Sequence, residues 1–302
     1  MIDHEHFDFH SGVASALAEH SAVVALESTV IAHGLPRPVN VATAEALEQI
    51  VRDAGCQPAT IAILDGRLSV GLTSEQIRFI GTSEDIQKVS MRDLPLALAQ
   101  KWNGATTVAS TSWIANRAGI SVFATGGIGG VHRGSLPDIS GDLPALAATS
   151  IVVVCSGAKI ILDLPATREW LETHGVTVVG YGCDEMPGFY SRRSGLPVDV
   201  RVDSPAAVAQ IFRAQQSLGI ERALLVTVPV PAEFEIPLEQ LEPAIAATLA
   251  QAESEGVVGR ELTPFLLSRL AQTSAGATLK ANIALLENNA RVAAQIAGAL
   301  SE

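Results

Sequence analysis

Ser150-Ile151-Val152-Val153-Val154-Cys155-Ser156-Gly157 is the run on which the reading of this chain turns. Its apolar middle is bounded by small polar residues, so it reads as a strand at the centre of a sheet. Similar runs recur on both sides: SAVVAL (21–26), SVFATG (121–126), VTVVGY (176–181) and ALLVTV (223–228). Longer amphipathic stretches separate them. Residues 40–54 place Val41, Ala44, Leu47 and Val51 on one helical face. Thr73-Ser74-Glu75-Gln76 has capping-box spacing. Asp93 to Lys101, Thr107 to Ala118, 163–174 and 278–299 also read as helices. Ser204-Pro205 and Thr263-Pro264 each read as a cap followed by a first-turn proline. Asp65-Gly66 between two apolar runs signals a hairpin. Strands that alternate with helices predict an α/β fold, a single-domain α/β/α sandwich around a largely parallel or mixed sheet. The domain is expected to span 1–302. VPVPAEFEIP (228–237) reads as a surface or site loop, and 1–20, with His4, His6 and His10, as a mobile terminus.

Composition narrows the function. The 302 residues suffice for one large core. A hydrophobic share of 48% with 17% charged residues fits a folded chain rather than a disordered one. A net charge of −12 argues against a nucleic-acid surface, though it leaves room for one basic pocket that takes a single phosphate. Cys56, Cys155 and Cys183 lack C-x-x-C spacing, so neither zinc nor a disulfide framework is expected. Reduced thiols suit the cytosol. The polar start MIDHEHFDFH is no signal peptide, and no apolar run reaches the roughly 18 residues of a membrane span. A cytoplasmic protein without membrane partners is therefore expected.

Five polar clusters fall where strands end, the place where ligands gather in an α/β sheet. Glu27-Ser28-Thr29 follows SAVVAL, and a carboxylate there, before apolar Val30-Ile31-Ala32, can gain a raised pKa and move protons. A purely structural carboxylate is the alternative. The glycine-rich loop from Thr125 to Gly134 follows SVFATG. It matches neither a P-loop nor a dinucleotide fingerprint. Its glycines would let the backbone approach a flat ligand, with Thr125 and His132 as polar contacts, or would serve packing alone. Asp138-Ile139-Ser140-Gly141-Asp142 could hold a divalent cation through oxygens, or merely cap a helix.

Lys159 closes Cys155-Ser156-Gly157-Ala158-Lys159. A helix is expected to start just beyond it. The positive end of that helix and desolvation would both favour the neutral amine, the form that attacks a sugar carbonyl carbon. A lysine reaching to solvent is the alternative. Lys88 could meet a phosphate as a point charge, and Gly104 to Val108 could offer backbone N–H groups to an anion.

In this order the clusters resemble the pseudouridine-5′-phosphate glycosidase family. The carrying segments are ALESTVIAHGLPRP (25–38), PATIAILDGRLSVGL (58–72), KVSMRDLP (88–95), NGATTVAST (103–111), VFATGGIGGVHRG (122–134), DISGDL (138–143), VVVCSGAKIILDL (152–164), TPFLLSRL (263–270) and LKANIALLENNA (279–290). The resemblance implies an α/β/α fold, usually a homotrimer, and a divalent metal, typically manganese. It implies chemistry at the C–C bond between C1′ of ribose 5-phosphate and C5 of uracil. Lys159 then matches the lysine that forms an imine with the opened ribose, and Glu27 the proton donor. Asp138 matches a metal-linked carboxylate. Ser140, Gly141 and Asp142 match substrate-contacting positions, and Asp142 is counted with the catalytic groups as well. Lys88 and the backbone at Val108 match sugar-phosphate contacts. Thr125, His132 and Asn282 fall where the base is held.

The chain departs from the family pattern in places. The segment Gly134 to Asp138 is short. Val228-Pro229-Val230-Pro231 stands where the family tends to read N-P-I-P, and Ile160 replaces the serine of G-A-K-S. These changes run from polar to apolar, which suggests either drift or a less polar ring than uracil. An offshoot resembling the C-ribosylating synthase of alnumycin biosynthesis, which joins ribose 5-phosphate to an aromatic polyketide, is the second expectation. A sugar-phosphate-binding protein without catalysis is the third.

Overall fold

The computed structural model describes residues 5–134, 138–257, 259 and 262–302. The first half runs β1 (Phe7–Phe9), α1 (Ser11–Ala18), β2 (Val23–Glu27), a π-helical turn (Val30–Gly34), α2 (Val39–Asp53), β3 (Gln57–Leu64), β4 (Arg67–Val70), α3 (Ser74–Thr82), β5 (Gln87–Val89), α4 (Leu94–Ala99), β6 (Gly104–Thr106), α5 (Val108–Arg117) and β7 (Val122–Ala124). The second half runs β8 (Val131–His132), α6 (Asp142–Leu146), β9 (Val152–Cys155), β10 (Leu162–Asp163), α7 (Leu164–Thr173), β11 (Thr177–Tyr181), β12 (Val200–Val202), α8 (Pro205–Ser217), β13 (Leu224–Thr227), α9 (Leu238–Glu255), α10 (Leu262–Thr273) and α11 (Ala277–Ser301).

The main sheet follows the order β1-β4-β3-β2-β7-β9-β13-β11-β12, with β6 on β3 and β5 on β6. It is mixed. From β3 through β2, β7, β9, β13 and β11 to β12 every neighbour is parallel, while β4 and β6 run antiparallel to β3. Val152, Val153 and Val154 of β9 are fully buried, as a strand covered on both faces must be. Helix α11 packs across β2, β7 and β9 through a seam of small residues that includes Ala290, Ala293 and Ala294.

This topology fixes where a ligand can sit. The chain leaves β2 toward β3, whereas β7 leads on to β9, so the order reverses between β2 and β7. The carboxyl ends at such a switch point open a crevice. Leu26 pairs with Ala124, and Ala124 with Val154. The next row beyond the ladder therefore holds Glu27, Thr125 and Cys155.

Three expectations need correction. Within 1–20, the described part is not loose. Phe7 pairs with Leu68, Phe7 and Val13 are buried, and the His10 ring accepts from Gly12 N at 3.2 Å to cap α1. His4 lies outside the described residues. Thr263 and Pro264 sit inside the first turn of α10 rather than capping it. No helix starts just beyond Lys159, because β10 intervenes and α7 begins at Leu164, where Asp163 accepts from Ala166 N at 2.9 Å. No helix dipole therefore acts on that lysine from the residues just beyond it. The hairpin at Asp65-Gly66 is present, with φ of 47° and 72°, the left-handed pair that a two-residue loop needs. Among the described residues no helix is long and apolar enough to cross a membrane.

Candidate active site

A cavity of about 730 Å3 opens at the switch point, within the ordinary range for small-molecule sites. Glu27, Lys88, Val108, His132, Asp138, Ser140, Gly141, Asp142, Lys159 and Asn282 all stand on its wall. Residues up to 255 apart in sequence are thus gathered by the sheet and by α11. Thr125 is the exception. It is buried behind the wall, and its hydroxyl donates to Glu27 Oε1. It can act on a ligand through Glu27, not as the base contact that the resemblance implied.

The LEST motif divides by position. Glu27 ends β2 and turns into the cavity. Ser28 is fully buried, donating to Ile61 O at 2.6 Å and accepting from Thr106 N at 2.9 Å. Thr29 donates to Thr106 O at 2.7 Å. These two residues fasten the turn, leaving the carboxylate as the group available for chemistry. Burial raises the Glu27 pKa. The Lys159 charge, the Thr125 hydroxyl and Lys88 pull it down, and Asp142 pushes it further up. A carboxyl whose pKa burial has raised in this way can serve both to give and to take a proton.

The glycine loop is packed against protein. A Cβ at Gly127 would lie 2.6 Å from the Phe189 ring, at Gly129 2.2 Å from Ser140 Oγ, and at Gly130 2.3 Å from Thr167 Oγ1. Gly126, Gly127 and Gly129 do reach the cavity wall, yet the room their missing side chains leave is filled by neighbouring residues. The 138–142 segment zips onto this loop. Ser140 N donates to Gly130 O at 2.9 Å, and His132 N to Asp138 O at 2.8 Å. Asp142 is buried, and its two oxygens accept from Gly129 N at 2.8 Å and Ala109 N at 3.0 Å. It ties the glycine loop to the first turn of α5 and keeps one lone pair per oxygen for a ligand.

Lys159 follows a turn that demands glycine. Gly157 has φ of 78°, and a Cβ there would fall 1.9 Å from Pro187 O. Lys159 N donates to Ile128 O at 3.1 Å, and Ile128 N to Gly157 O at 3.0 Å, so the lysine is laced to the glycine loop. His132 pairs with Leu162, three residues beyond Lys159. Burial lowers the His132 pKa, while Asp138 raises it and Lys159 and Lys88 lower it. The neutral ring is favoured, with one nitrogen to donate and one to accept. Lys88, half-buried in the middle of β5, stands with Val108 at the start of α5, where backbone N–H groups favour an anion.

A metal is less well provided for. Asp138 is an exposed carboxylate on the wall, whereas both oxygens of Asp142 already accept backbone N–H groups. Among the described residues no three His, Cys, Asp or Glu side chains meet as a ligand set. The residues present do not fit a cation caged by protein alone.

Phe189, Trp113, Met91, Arg92 and Leu286 also stand on the wall without a sequence signal that singles them out, and so does His33, which is uninformative as a lone histidine in a turn. Phe189 carries a positive φ of 61°, a conformation that its sequence does not announce. Two departures from the family pattern fall off the wall. Ile160 and Val230 are fully buried and Val228 nearly so, in the core rather than the cavity.

Comparison with known proteins agrees with this geometry. The family model for indigoidine synthase A-like proteins matches residues 12–299. The chain belongs to the indigoidine synthase A-like, pseudouridine-5′-phosphate glycosidase family. Within it, the pseudouridine-5′-phosphate glycosidase of Caldanaerobacter subterraneus subsp. tengcongensis is 50% identical over 297 residues, covering 98% of this chain and 97% of its own. That of Symbiobacterium thermophilum is 51% identical over 294 residues, covering 95% and 96%. Among solved structures, the prealnumycin C-glycosynthase AlnA in complex with ribulose 5-phosphate superposes with a TM-score of 0.90 at 43% identity, covering 98% and 97%. The indigoidine synthase A-like protein of Thermotoga maritima gives 0.89 at 39%, covering 94% of each chain.

Proposed function

We propose that this family member cleaves, and in reverse forms, the C–C bond between C1′ of ribose 5-phosphate and C5 of uracil in pseudouridine 5′-phosphate. The observation that carries the reading is the meeting of Lys159 and Glu27 across one cavity, each within electrostatic reach of the other. Relatives at 50% identity that bear the glycosidase name support it.

Ordinary glycosidases need an oxygen or nitrogen leaving group between two carboxylates. A C-glycoside lacks one, and an amine supplies the missing electron sink. The Lys159 amine adds to C1′ as the ring oxygen leaves C1′ and takes a proton from Glu27. Glu27 regains a proton from the newly bonded nitrogen. The nitrogen lone pair then forms the C1′–N double bond while the C1′–C5 electron pair moves to C5, which takes that proton. Water adds to the imine, releasing ribose 5-phosphate and returning the amine. Lys88 and the α5 N-terminus hold the phosphate, and His132 and Asn282 hold the uracil edge.

Three further parts belong to the proposal. Asp138, the exposed carboxylate on the wall, would be the residue to meet a divalent ion such as manganese, which would supply positive charge to substrate oxygens. The active form is a homotrimer, and the protein works in the cytoplasm. A second reading, attachment of ribose 5-phosphate to an aromatic polyketide, is favoured by the likeness to the prealnumycin C-glycosynthase. It ranks below the first, because the apolar replacements that suggested a different ring lie in the core.

The test is direct. Purified protein with manganese and pseudouridine 5′-phosphate should release uracil, read by ultraviolet absorbance. Borohydride should trap ribose 5-phosphate on Lys159, and Lys159→Ala should abolish both. Trapping without uracil release would reject the glycosidase in favour of the synthase. Trapping that persists in Lys159→Ala would end the mechanism.

A further inference from the structure

Asn289 lies on α11, fully buried and off the cavity wall. Its amide reaches the ends of two central strands at once. Nδ2 donates to Thr125 O at 2.9 Å, and Gly126 O lies at 3.5 Å. Ser156 Oγ faces the same amide, 3.1 Å from Nδ2 and 3.3 Å from Oδ1. Thr125 stands beyond β7 and Ser156 beyond β9, neighbouring parallel strands. Ser156 N also donates to Gly126 O at 2.9 Å, which closes the cluster.

Each end leads to one of the reacting groups. The Thr125 hydroxyl donates to Glu27. Ser156 begins the turn through Gly157 to Lys159, whose own N–H is bound to Ile128 O. One buried side chain is therefore the shared anchor of the strand ends that carry the proton-transfer group and the amine. A polar residue inside the seam where α11 crosses the sheet would cost stability unless every bond were made. Here Asn289 makes them to the two loops that bear chemistry.

We infer that Asn289 is a positioning residue that sets Glu27 and Lys159 in register with each other. The inference rests on the function proposed above. Catalysis between prepositioned groups is sensitive to small displacements, a shift of about 1 Å costing on the order of 100-fold in rate. Glu27 faces the charges of Lys159, Asp142 and Lys88, with the Thr125 hydroxyl as its hydrogen-bond donor. Loosening Thr125 weakens the bond that holds the Glu27 pKa down.

Two variants test this. Asn289→Ala should stay folded but lose on the order of 100-fold in kcat, with KM for pseudouridine 5′-phosphate within about threefold because the wall is untouched. Borohydride trapping of ribose 5-phosphate at Lys159 should slow in step. Asn289→Asp keeps the volume and an acceptor for the Ser156 hydroxyl, but loses the donor to Thr125 O. It should move the Glu27 limb of the kcat profile to higher pH while trapping stays near the wild-type rate. A melting temperature lowered with kcat and its pH profile unchanged in either variant would show a structural role alone and overturn the inference. Wild-type protein that neither releases uracil nor forms the adduct would instead reject the proposed function, and the inference with it.

Discussion

The Thr125 hydroxyl donates its hydrogen bond to Oε1 of Glu27, across the gap between two parallel strands. After the larger pull of the Lys159 charge, and together with Lys88, this contact opposes the burial that drives the carboxyl toward its neutral form. Thr125→Val keeps the shape and removes the donor. The Glu27 pKa should then rise, and the matching limb of the kcat profile should move to higher pH. A turnover profile measured from pH 5 to 9 checks the sign.

Asp142 gives the opposite shift. Its charge raises the Glu27 pKa, so Asp142→Asn should move the same limb to lower pH. The substitution also turns one acceptor toward Gly129 N or Ala109 N into a donor. A buried hydrogen bond lost with its partner left unsatisfied costs about 1–3 kcal/mol. Urea unfolding of the variant measures that cost separately from the pH profile.

Glu27 itself should trade stability for function. Its folded pKa lies above the ordinary value. Its contribution to stability is therefore full below the unfolded pKa and is lost as pH rises through the folded one. Glu27→Gln, which can still accept from Thr125, should melt higher than wild type at neutral pH while turning over nothing. The difference in melting temperature should grow with pH across that window, and a flat difference would contradict the raised pKa.

The strands and the catalytic loops were legible because their signals are local. Apolar runs, the Asp65-Gly66 turn and the capping box at Thr73 each declare themselves within a few residues. Lys159 and Glu27 were visible as charges stranded after apolar runs, and the order of motifs then supplied their expected roles. What stayed hidden depends on distance in the chain. That Thr125 serves Glu27, that Asp142 spends its oxygens on Gly129 and Ala109, and that the loop glycines make way for Phe189, Ser140 and Thr167 all require the fold. The first strand is hidden because Phe7-Asp8-Phe9 alternates over only three residues inside a polar surrounding, although Phe7 completes the edge of the sheet on Leu68.

Gly157 should tolerate no side chain. An alanine there adds left-handed strain to a Cβ placed 1.9 Å from Pro187 O. Together these cost about 2–5 kcal/mol. Because the turn leads directly into Lys159, borohydride trapping of ribose 5-phosphate should fall along with the midpoint of thermal unfolding.

Ring choice should be insensitive to the residues that first suggested a different ring. Ile160 is fully buried beside Lys159, and Val228 is buried where its N–H donates to Cys155 O at 2.8 Å. Neither touches the cavity. Restoring the family's polar residues, as Ile160→Ser and Val228→Asn, puts unpaired polar groups into the core at about 1–3 kcal/mol each. Melting temperatures should drop, while the relative kcat/KM for pseudouridine 5′-phosphate and for an aromatic C-riboside 5′-phosphate should hold within about threefold, well under the tenfold that 1.4 kcal/mol of discrimination represents. A reversal of preference in either variant would mean that the core behind Lys159 shapes the ring site after all, and would favour the synthase over the glycosidase.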